Sequence, residues 1–450
     1  MRRNTWLWIG ILLVLILAAL VVWARPQVAQ PRGVAEDVTL WIEPQAGKEP
    51  ILNALDSAQH DVRMVYYSIT DPDIIQKIKD TVARGVTVRF MLENNPYGGS
   101  STNIDVGLDL QKAGVQLKWA PRAFRYLHEK AIVVDGKTAY IMTHNLTTSS
   151  FTANREYGVR LQAPHLVKEV ADVFDADWNR EPIDLKNAYL VWAPDNSRER
   201  FAELFNNAKK SIWLEEQNSQ DPQIVRLLSD AARRGVDVRL ISTPRYPIEN
   251  DYDEPGREQI RQAGGQVRYI LDPYVHAKVF IIDGRLGFVG SQNFTTNSLD
   301  NNRELGVVFS DAEAVQQMMV QFIKDWDKGT VEPFPKKNLP VPPEGYIDHT
   351  QAKFYLYRDD VPVQLTVTHT YNSGRVIWLM GNADQDRNFK VVIFPSSYSK
   401  FPGYPDVLPD EYYKGKTIRV HGLIKLYRGW PEIIVNSPSQ IEIVSEGEGK

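Results

Sequence analysis

The chain has 450 residues, of which 43% are hydrophobic and 24% are charged. This composition is that of a globular protein and excludes a wholly disordered chain, and the length exceeds what one ordinary domain needs. The formal net charge of -4 gives no overall basic field to attract polyanions, and the absence of cysteine excludes disulfides, thiolate catalysis and cysteine-bound zinc.

The N-terminal segment predicts a membrane anchor. From Trp6 to Trp23 the chain carries no charge for 18 residues, near the lower limit for a helix that crosses a bilayer. Two arginines precede this stretch, and tryptophans lie at both of its ends, where interfacial aromatic residues are expected. We therefore expect residues 1–36 to anchor the protein, with a cytoplasmic start and an extracytoplasmic body. The alternative is a signal peptide whose cleavage would release a secreted protein.

An internal repeat with a period of roughly 150 residues follows, which is too long for a stacked array and indicates a duplicated domain. Residues 83–90 resemble residues 233–240, and residues 127–136 resemble residues 275–284. Further matched segments keep the same order along the chain. We assign the first copy to residues 37–184 and the second to residues 185–329.

Helices and strands are predicted to alternate within each copy. A helical stretch at 73–84, and its counterpart at 221–234, ends at a glycine that is followed by a β-branched run. The apolar runs 131–134 and 279–282 are short and are closed by Asp-Gly, which is typical of a strand, a tight turn and a second strand. This alternation predicts an α/β sandwich in each half.

Both copies carry the same polar residues at the same spacing. These residues are His128, Lys130, Asp135, Asn145 and Glu156 in the first copy, and His276, Lys278, Asp283, Asn293 and Glu304 in the second. Residues two apart on a strand project to the same side, so each histidine is expected beside a lysine. Two imidazoles and two ammonium groups supply the nucleophile, the acid and the positive charge that phosphodiester cleavage needs. The pattern predicts one site formed by both copies.

Each side chain has a predicted role in a reaction through a phosphohistidine. One imidazole attacks phosphorus, and the other protonates the leaving alcohol and then activates water or a second alcohol. The phosphate oxygens are predicted to bind Lys130, Lys278, Asn145 and Asn293, while Glu156 and Glu304 hold the ring tautomers. No metal or cofactor is required. Asp135 and Asp283 precede glycine and are interpreted mainly as turn-forming residues.

The duplicated motif resembles that of the phospholipase D superfamily. The second copy fits the pattern of that family in full, with His276-x-Lys278-x4-Asp283 followed by Gly290-Ser291-x-Asn293. The first copy has Met142-Thr143 in place of Gly-Ser, so Thr143 and Ser291 are the expected supporting hydroxyls. The resemblance covers about residues 37–327. It implies a pseudo-twofold sandwich that works as a monomeric phosphodiesterase, with His128 as nucleophile and His276 as acid and base.

A different composition begins after the second copy. Residues 330–345 are rich in proline and predict a stiff linker. Residues 346–445 contain short strand-like runs separated by glycine, proline and asparagine, which predict a small β-barrel. Within them, residues 413–443 resemble the OB-fold family of nucleic-acid and oligomer-binding domains.

Three functions are compatible with these features. We expect an exported, membrane-tethered nuclease, because an OB-like domain would present a polynucleotide and a lipid enzyme does not obviously need one. The alternative is a phospholipid hydrolase or transphosphatidylase, similar to phospholipase D or cardiolipin synthase, which the membrane helix would bring to its substrate. A third hypothesis, a binding module with a silenced site, rests only on Met142 and Thr143.

Overall fold

The computed structural model describes residues 33–97, 99, 101–244, 252–270, 272–331, 342, 344–382, 388–427 and 430–446. The chain divides into two compact units, the first ending at Pro333 and the second beginning at Phe334. The predicted anchor at 1–36 and the predicted linker at 330–345 lie largely outside the described residues and remain predictions. Within the described ranges, no helix is long and apolar enough to cross a membrane.

Strands and helices alternate in the first copy of the repeat. Just before this copy lies β1 (Val34–Ala35), and the strands of the copy are β2 (Val38–Glu43), β3 (Asp61–Tyr66), β4 (Thr87–Leu92), β5 (Gln116–Trp119), β6 (Ala131–Val134), β7 (Thr138–Met142) and β8 (Asn154–Leu161). The helices are α1 (Glu49–Ser57), α2 (Pro72–Ala83), α3 (Thr102–Lys112), α4 (Thr148–Thr152) and α5 (Pro164–Asn179).

The second copy repeats this order. Its strands are β9 (Val191–Ala193), β10 (Ser211–Glu216), β11 (Asp237–Ser242), β12 (Gln266–Tyr269), β13 (Tyr274–Val275), β14 (Lys278–Ile282), β15 (Leu286–Gly290) and β16 (Glu304–Phe309). Its helices are α6 (Ser197–Asn207), α7 (Pro222–Arg233), α8 (Glu254–Gln262), α9 (Thr296–Asp300) and α10 (Ala312–Lys328).

Each copy builds one mixed sheet, and each sheet borrows a strand from outside its own copy. The first sheet has the order β13-β8-β7-β6-β3-β4-β5, with β2 beside β8. The second has the order β1-β16-β15-β14-β10-β11-β12, with β9 beside β16. The α/β sandwich duplicated along the chain is thus confirmed, and strand exchange between the copies ties the two sheets together.

Helix ends follow the chemistry of their sequences. Asp71 caps α2 by accepting hydrogen bonds from the backbone of residues 73 and 74, and Asp221 caps α7 in the same way. Gly85 and Gly235, which follow these helices, have φ angles of 91° and 87°, a conformation that favours glycine. The predicted transition from helix through glycine to strand is confirmed in both copies.

The Asp-Gly turns after β6 and β14 are built by the aspartate side chains. Asp135 has a φ of 52° and accepts three backbone N–H groups, from residues 59, 60 and 61, at 2.8–2.9 Å. Asp283 has a φ of 55° and accepts the backbone N–H groups of residues 209, 210 and 211. Both carboxylates therefore fix a turn against the start of a neighbouring strand.

The largest apolar core belongs to both copies at once. Val133 and Val159 from the first copy lie in the same buried cluster as Val279, Val289 and Phe322 from the second. Each copy also has its own cluster on the far side of its sheet. The central cluster therefore joins the two copies through one shared buried core.

The second unit consists mainly of short strands. These are β17 (Ile347–Asp348), β18 (Val363–Thr366), β19 (His369–Asn372), β20 (Ile377–Met380), β21 (Lys390–Ile393), β22 (Thr417–Val420), β23 (Lys425–Tyr427), β24 (Trp430–Ile434) and β25 (Ile441–Ser445). It also contains α11 (Pro395–Tyr398), α12 (Pro409–Tyr413) and the 3-10 turns His349–Phe354 and Pro438–Gln440. The strands form sheets of the orders β17-β18-β22-β25 and β19-β20-β21-β24-β23.

Candidate active site

Each candidate histidine is held by the backbone of the opposite copy. The backbone N–H of His128 donates to the carbonyl oxygen of Arg303 at 3.0 Å. The backbone N–H of His276 donates to the carbonyl oxygen of Arg155 at 3.2 Å. The two motifs, which lie far apart in the sequence, are therefore joined by reciprocal contacts across the repeat.

The imidazole rings are held by carboxylates that also come from the opposite copy. Nδ1 of His128 lies 2.8 Å from Oε2 of Glu304, and Nδ1 of His276 lies 2.6 Å from Oε1 of Glu156. A carboxylate beside Nδ1 favours a proton on that nitrogen and leaves the lone pair on Nε2. Each Nε2 can then attack a phosphorus atom or exchange a proton with substrate.

Burial and charge set the protonation of these pairs. Burial lowers the pKa of His128 to about 4, against the opposing charge of Glu304. Burial alone would raise the pKa of Glu156, but His276 beside it brings the pKa down to about 2. Burial also lowers the pKa of His276. The lowered pKa of each ring favours the neutral form, which an attacking imidazole needs.

Hydroxyl groups hold the two glutamates in place. Thr143 Oγ1 donates to Glu156 Oε2 at 2.6 Å, and Ser291 Oγ donates to Glu304 Oε2 at 2.7 Å. Thr143 thus makes the same bond in the first copy that Ser291 makes in the second. The hypothesis of a silenced site rested on the residues at 142 and 143, and at 143 the supporting contact is retained.

Met142 is accommodated behind the site rather than in it. Its sulfur accepts a hydrogen bond from the hydroxyl of Tyr66 at 3.0 Å, and both side chains are fully buried. The equivalent Gly290 has no room for a side chain, because a Cβ atom there would lie 2.6 Å from the ring of Phe288 and 2.9 Å from the backbone Cα of Gly306. The two copies therefore pack differently at this position behind the same hydroxyl contact.

The two lysines lie beside the histidines and are buried. Nζ of Lys130 donates to the carbonyl oxygen of His128 at 2.6 Å, and Nζ of Lys278 donates to the carbonyl oxygen of His276. Burial lowers the pKa of Lys130 to about 7. The charge of Lys278 contributes to the lowered pKa of His128, and the charge of Lys130 contributes to the lowered pKa of His276.

The side-chain oxygens of Asn145 and Asn293 stand apart from this hydrogen-bond network. The Oδ1 atom of each is buried and has no hydrogen-bond partner within the described part of the chain. Both lie two residues after the supporting hydroxyls of Thr143 and Ser291. Asp135 and Asp283 also lie outside the network, since the hydrogen bonds of their carboxylates go to the turns described above. The predicted role of the asparagines as phosphate ligands remains a prediction.

Two arginines that the sequence analysis did not single out tie the copies together. Arg155 donates from Nε to Oδ2 of Asp325 at 2.6 Å, and Arg303 donates from Nε to Oδ2 of Asp177 at 2.8 Å. Each arginine directly precedes a glutamate of the site. The sequence Asn-Arg-Glu occurs at 154–156 and again at 302–304, and this repetition was the signal that could have revealed them.

The carboxyl of Glu215 is expected to make the stability of the folded protein depend on pH. Its Oε2 accepts a hydrogen bond from the hydroxyl of Tyr157 at 3.1 Å, and burial, with the nearby charge of Asp325, raises its pKa to about 8. An unfolded glutamate has its ordinary pKa of 4.5, so the folded protein holds the proton more tightly. Protonated Glu215 therefore stabilises the folded protein. This stabilisation is complete below the pKa of the unfolded state and is lost as the pH rises through the pKa of the folded state.

Glu215→Gln removes this titration. We expect the melting temperature of the variant, relative to that of the unchanged protein, to increase steadily between about pH 5 and pH 8.5. Thermal unfolding followed by circular dichroism at a series of pH values measures this difference. A difference that stays constant over the whole series contradicts the raised pKa.

Comparisons with known proteins agree with this geometry. The profile of the family described as "Cardiolipin synthase, PLD-like domain" matches residues 51–178 and again 201–326. A cardiolipin synthase of Halalkalibacterium halodurans is 26% identical over 329 residues, 62% of this chain and 64% of that protein. Cardiolipin synthase 2 of Bacillus cereus is 26% identical over 326 residues, 62% of each protein. The match thus spans less than two thirds of either relative.

Among solved structures, the phosphatidylserine synthase of Haemophilus influenzae has a similar fold. It superposes with a TM-score of 0.52 at 12% identity, over 68% of this chain and 90% of that chain. At this identity the similarity concerns the fold alone.

The expectation of a nuclease is contradicted by these relatives. The curated relatives described above are cardiolipin synthases, and the matching family carries the same description. The nuclease prediction came from the C-terminal unit, whereas the family profile matches the region that contains the two motifs. The phospholipid alternative is the better supported of the two predictions.

Proposed function

Because the chain belongs to the phospholipase D superfamily and carries its cardiolipin synthase-like domain twice, we propose that it is a transphosphatidylase acting on phospholipids. The observation that carries this proposal is the reciprocal pairing of His128 with Glu304 and of His276 with Glu156. Two oriented imidazoles in one site allow a phosphatidyl group to be taken up by one ring and released with the help of the other.

The proposed reaction has two steps. In the first, Nε2 of His128 attacks phosphorus, the bond from phosphorus to the leaving alcohol breaks, and Nε2 of His276 gives that alcohol a proton. In the second, His276 takes the proton of an incoming hydroxyl, whose oxygen attacks phosphorus and releases His128. The negative phosphodiester raises the proton affinity of His276 when it binds, which suits the ring for its role as the acid.

Positive charge and hydrogen-bond donors would stabilise the crowded phosphorus. Lys130 and Lys278 lie beside the two rings, and their burial in a low-dielectric surrounding strengthens their attraction for anionic oxygens. Asn145 and Asn293 are proposed as further ligands of the phosphate oxygens through their Nδ2–H groups, because each lies two residues after a hydroxyl that binds a glutamate of the site. All of these groups belong to the protein, and the proposed steps need no cofactor.

A membrane location suits a phospholipid substrate. We propose that residues 1–36 anchor the protein and that the body lies outside the cytoplasm, on the basis of the uncharged stretch from Trp6 to Trp23. An anchor of this kind would keep the site at the surface where its substrate lies. The assembled site needs only one chain, which supports a monomeric catalytic unit.

For residues 346–445 we propose an OB-like barrel. If β18 and β19 form one bent strand and β22 and β23 another, the pairings run in a ring: β19 with β20, β20 with β21, β21 with β24, β24 with β23, and β22 with β18. A ring of five strands is the architecture of a small closed barrel. Apolar residues on these strands, such as Ile377, Val391 and Ile433, lie in one buried cluster that would form its core.

The proposed activity is tested with purified protein and vesicles of phosphatidylglycerol in the presence of EDTA. Transfer to the glycerol hydroxyl of a second lipid would give cardiolipin and free glycerol, and hydrolysis would give phosphatidic acid. We expect transfer products to form in EDTA. Cleavage of labelled DNA or RNA without any turnover of lipid would contradict the proposal.

A further inference from the structure

The two halves of the site differ in the residue that follows the strand next to each motif. Strands β3 and β10 occupy equivalent places in the two sheets, beside β6 and β14 respectively. The residue after β3 is Tyr67, and the residue after β10 is Gln217. One half of the site thus presents an aromatic ring where the other presents an amide.

In the first half, Tyr67 packs against the candidate nucleophile. Its ring lies 4.8 Å from the ring of His128 in an edge-to-face contact and 5.8 Å from the ring of Tyr126. The ammonium group of Lys130 lies 5.6 Å from the centre of the Tyr67 ring. The hydroxyl of Tyr67 accepts the backbone N–H of Tyr97 at 2.6 Å. The surroundings of His128 on this side are therefore aromatic.

In the second half, Gln217 forms a polar chain instead. Its Oε1 accepts a hydrogen bond from Nζ of Lys278 at 3.0 Å, and its Nε2 donates to the hydroxyl of Tyr274 at 3.2 Å. Tyr274 precedes His276 by two residues and is 39% exposed. Gln217 therefore connects the side chains of Tyr274 and Lys278, which lie two residues before and two residues after His276.

Tyr126 and Tyr274 provide a symmetry-related comparison. Each lies two residues before a histidine of the site, so the duplication places them at equivalent positions. Tyr126 contacts the ring of Tyr67, whereas Tyr274 is hydrogen-bonded to Gln217. The same residue type therefore has an apolar neighbour in one half and a polar neighbour in the other.

We propose that Gln217 and Tyr274 form the subsite for the alcohol that leaves and for the alcohol that then enters, and that this alcohol is a polyol such as a glycerol headgroup. The inference rests on the proposed transphosphatidylase function and on His128 as nucleophile. An in-line displacement places the leaving oxygen opposite the attacking nitrogen. With His128 attacking, that oxygen faces His276 and hence the polar half of the site.

The second step uses the same subsite. A hydroxyl of the entering polyol gives its proton to Nε2 of His276, its oxygen forms a bond to phosphorus, and the bond from phosphorus to Nε2 of His128 breaks. The neighbouring hydroxyls of a polyol can exchange hydrogen bonds with the phenol of Tyr274 and the amide of Gln217, whereas a single water molecule gains less from this arrangement. The subsite would thereby favour transfer over hydrolysis.

Tyr274→Phe removes one hydroxyl, and Tyr126→Phe is its matched control. A short-chain phosphatidylglycerol in detergent is incubated with increasing glycerol that carries an isotopic label, and labelled product is compared with phosphatidic acid. We expect Tyr274→Phe to lower the ratio of transfer to hydrolysis about three- to tenfold, the usual size of one neutral hydrogen bond. Tyr126→Phe should change the ratio less than about twofold.

A second variant, Gln217→Met, should also lower the ratio of transfer to hydrolysis. Total consumption of lipid is measured separately in each variant. If Tyr126→Phe lowers the ratio and Tyr274→Phe does not, the alcohol subsite lies in the aromatic half and the inference is overturned. An unchanged ratio in every variant overturns it too, with the lipid activity itself intact. Absence of lipid turnover in the unchanged protein instead refutes the proposed function, and the subsite with it.

Discussion

Replacing His128 or His276 by asparagine is expected to lower the rate of phosphatidyl transfer by at least about a thousandfold in each case. Asparagine retains a group that can hydrogen-bond to Glu304 or Glu156 but cannot attack phosphorus or carry the proton. Because the two rings act in sequence on one phosphorus atom, losing either one stops turnover, and the double variant should be little slower than the single variants. Release of glycerol from phosphatidylglycerol measures the rate.

His165 supplies the control for these two variants. Its ring is exposed and contacts the ring of Tyr189 at 4.9 Å, and none of its described contacts is with the site. His165→Asn should therefore retain the rate of the unchanged protein. If either His128→Asn or His276→Asn kept more than about a tenth of the activity, the scheme with one nucleophile and one acid would be wrong.

Arg155→Met is expected to destabilise the first unit by about 3–5 kcal/mol, because it leaves Asp325 as an unpaired buried charge. Both side chains are 2% exposed, and the pair joins one copy of the repeat to the other. The backbone carbonyl of residue 155, which the variant retains, accepts the backbone N–H of His276, so a shift of this segment after loss of the ion pair should also slow the reaction. Unfolding in urea gives the change in the free energy of unfolding.

A double-mutant cycle separates the ion pair from the lost side-chain packing. Arg155→Met combined with Asp325→Leu should recover much of the stability, since neither charge is then buried alone. Lys168→Met is the surface control: its pair with Asp172 is exposed, and its loss should cost less than about 1 kcal/mol. A cycle that gave no coupling energy between Arg155 and Asp325 would contradict the conclusion that this ion pair stabilises the contact between the two copies.

Much of the fold could be predicted from local sequence, because the signals are local. The glycines after α2 and α7 and the Asp-Gly turns after β6 and β14 demand backbone conformations that few other residues adopt. Because the domain is duplicated, each of these local signals occurs once in each copy. Which sheet a strand joins could not be predicted in this way, since β13 pairs with β8 of the other copy through tertiary packing.

The identity of the site residues could be predicted from the sequence, but their partners could not. Spacing alone gave His128 and Glu156 as members of one motif, yet the carboxylate beside His128 is that of Glu304. Cross-pairing depends on the pseudo-twofold arrangement of the copies, which the spacing within a copy does not encode. Tyr67 and Gln217 also lie outside the motif. Their equivalence became visible only from their places after β3 and β10 in the two sheets.

The expectation of a nuclease was wrong because it assigned to the whole chain a function that is common among proteins with an OB fold. Residues 413–443 resemble OB folds, but a fold supports many functions and does not by itself identify a ligand. The chemistry lies in the duplicated domain, whose named relatives are cardiolipin synthases. Two histidines and two lysines suit any phosphodiester, so the motif alone could not separate a lipid from a polynucleotide.

The covalent intermediate is tested most directly with His276→Asn and a phosphatidyl ester of p-nitrophenol. This leaving group departs without an acid, so His128 should still be modified, while release of the adduct should fail without the second ring. We expect a burst of about one equivalent of p-nitrophenol per protein and, by mass spectrometry, a phosphatidyl group on His128. Steady release without a burst, or an adduct on any other residue, would contradict a site in which the two copies act on one phosphorus atom.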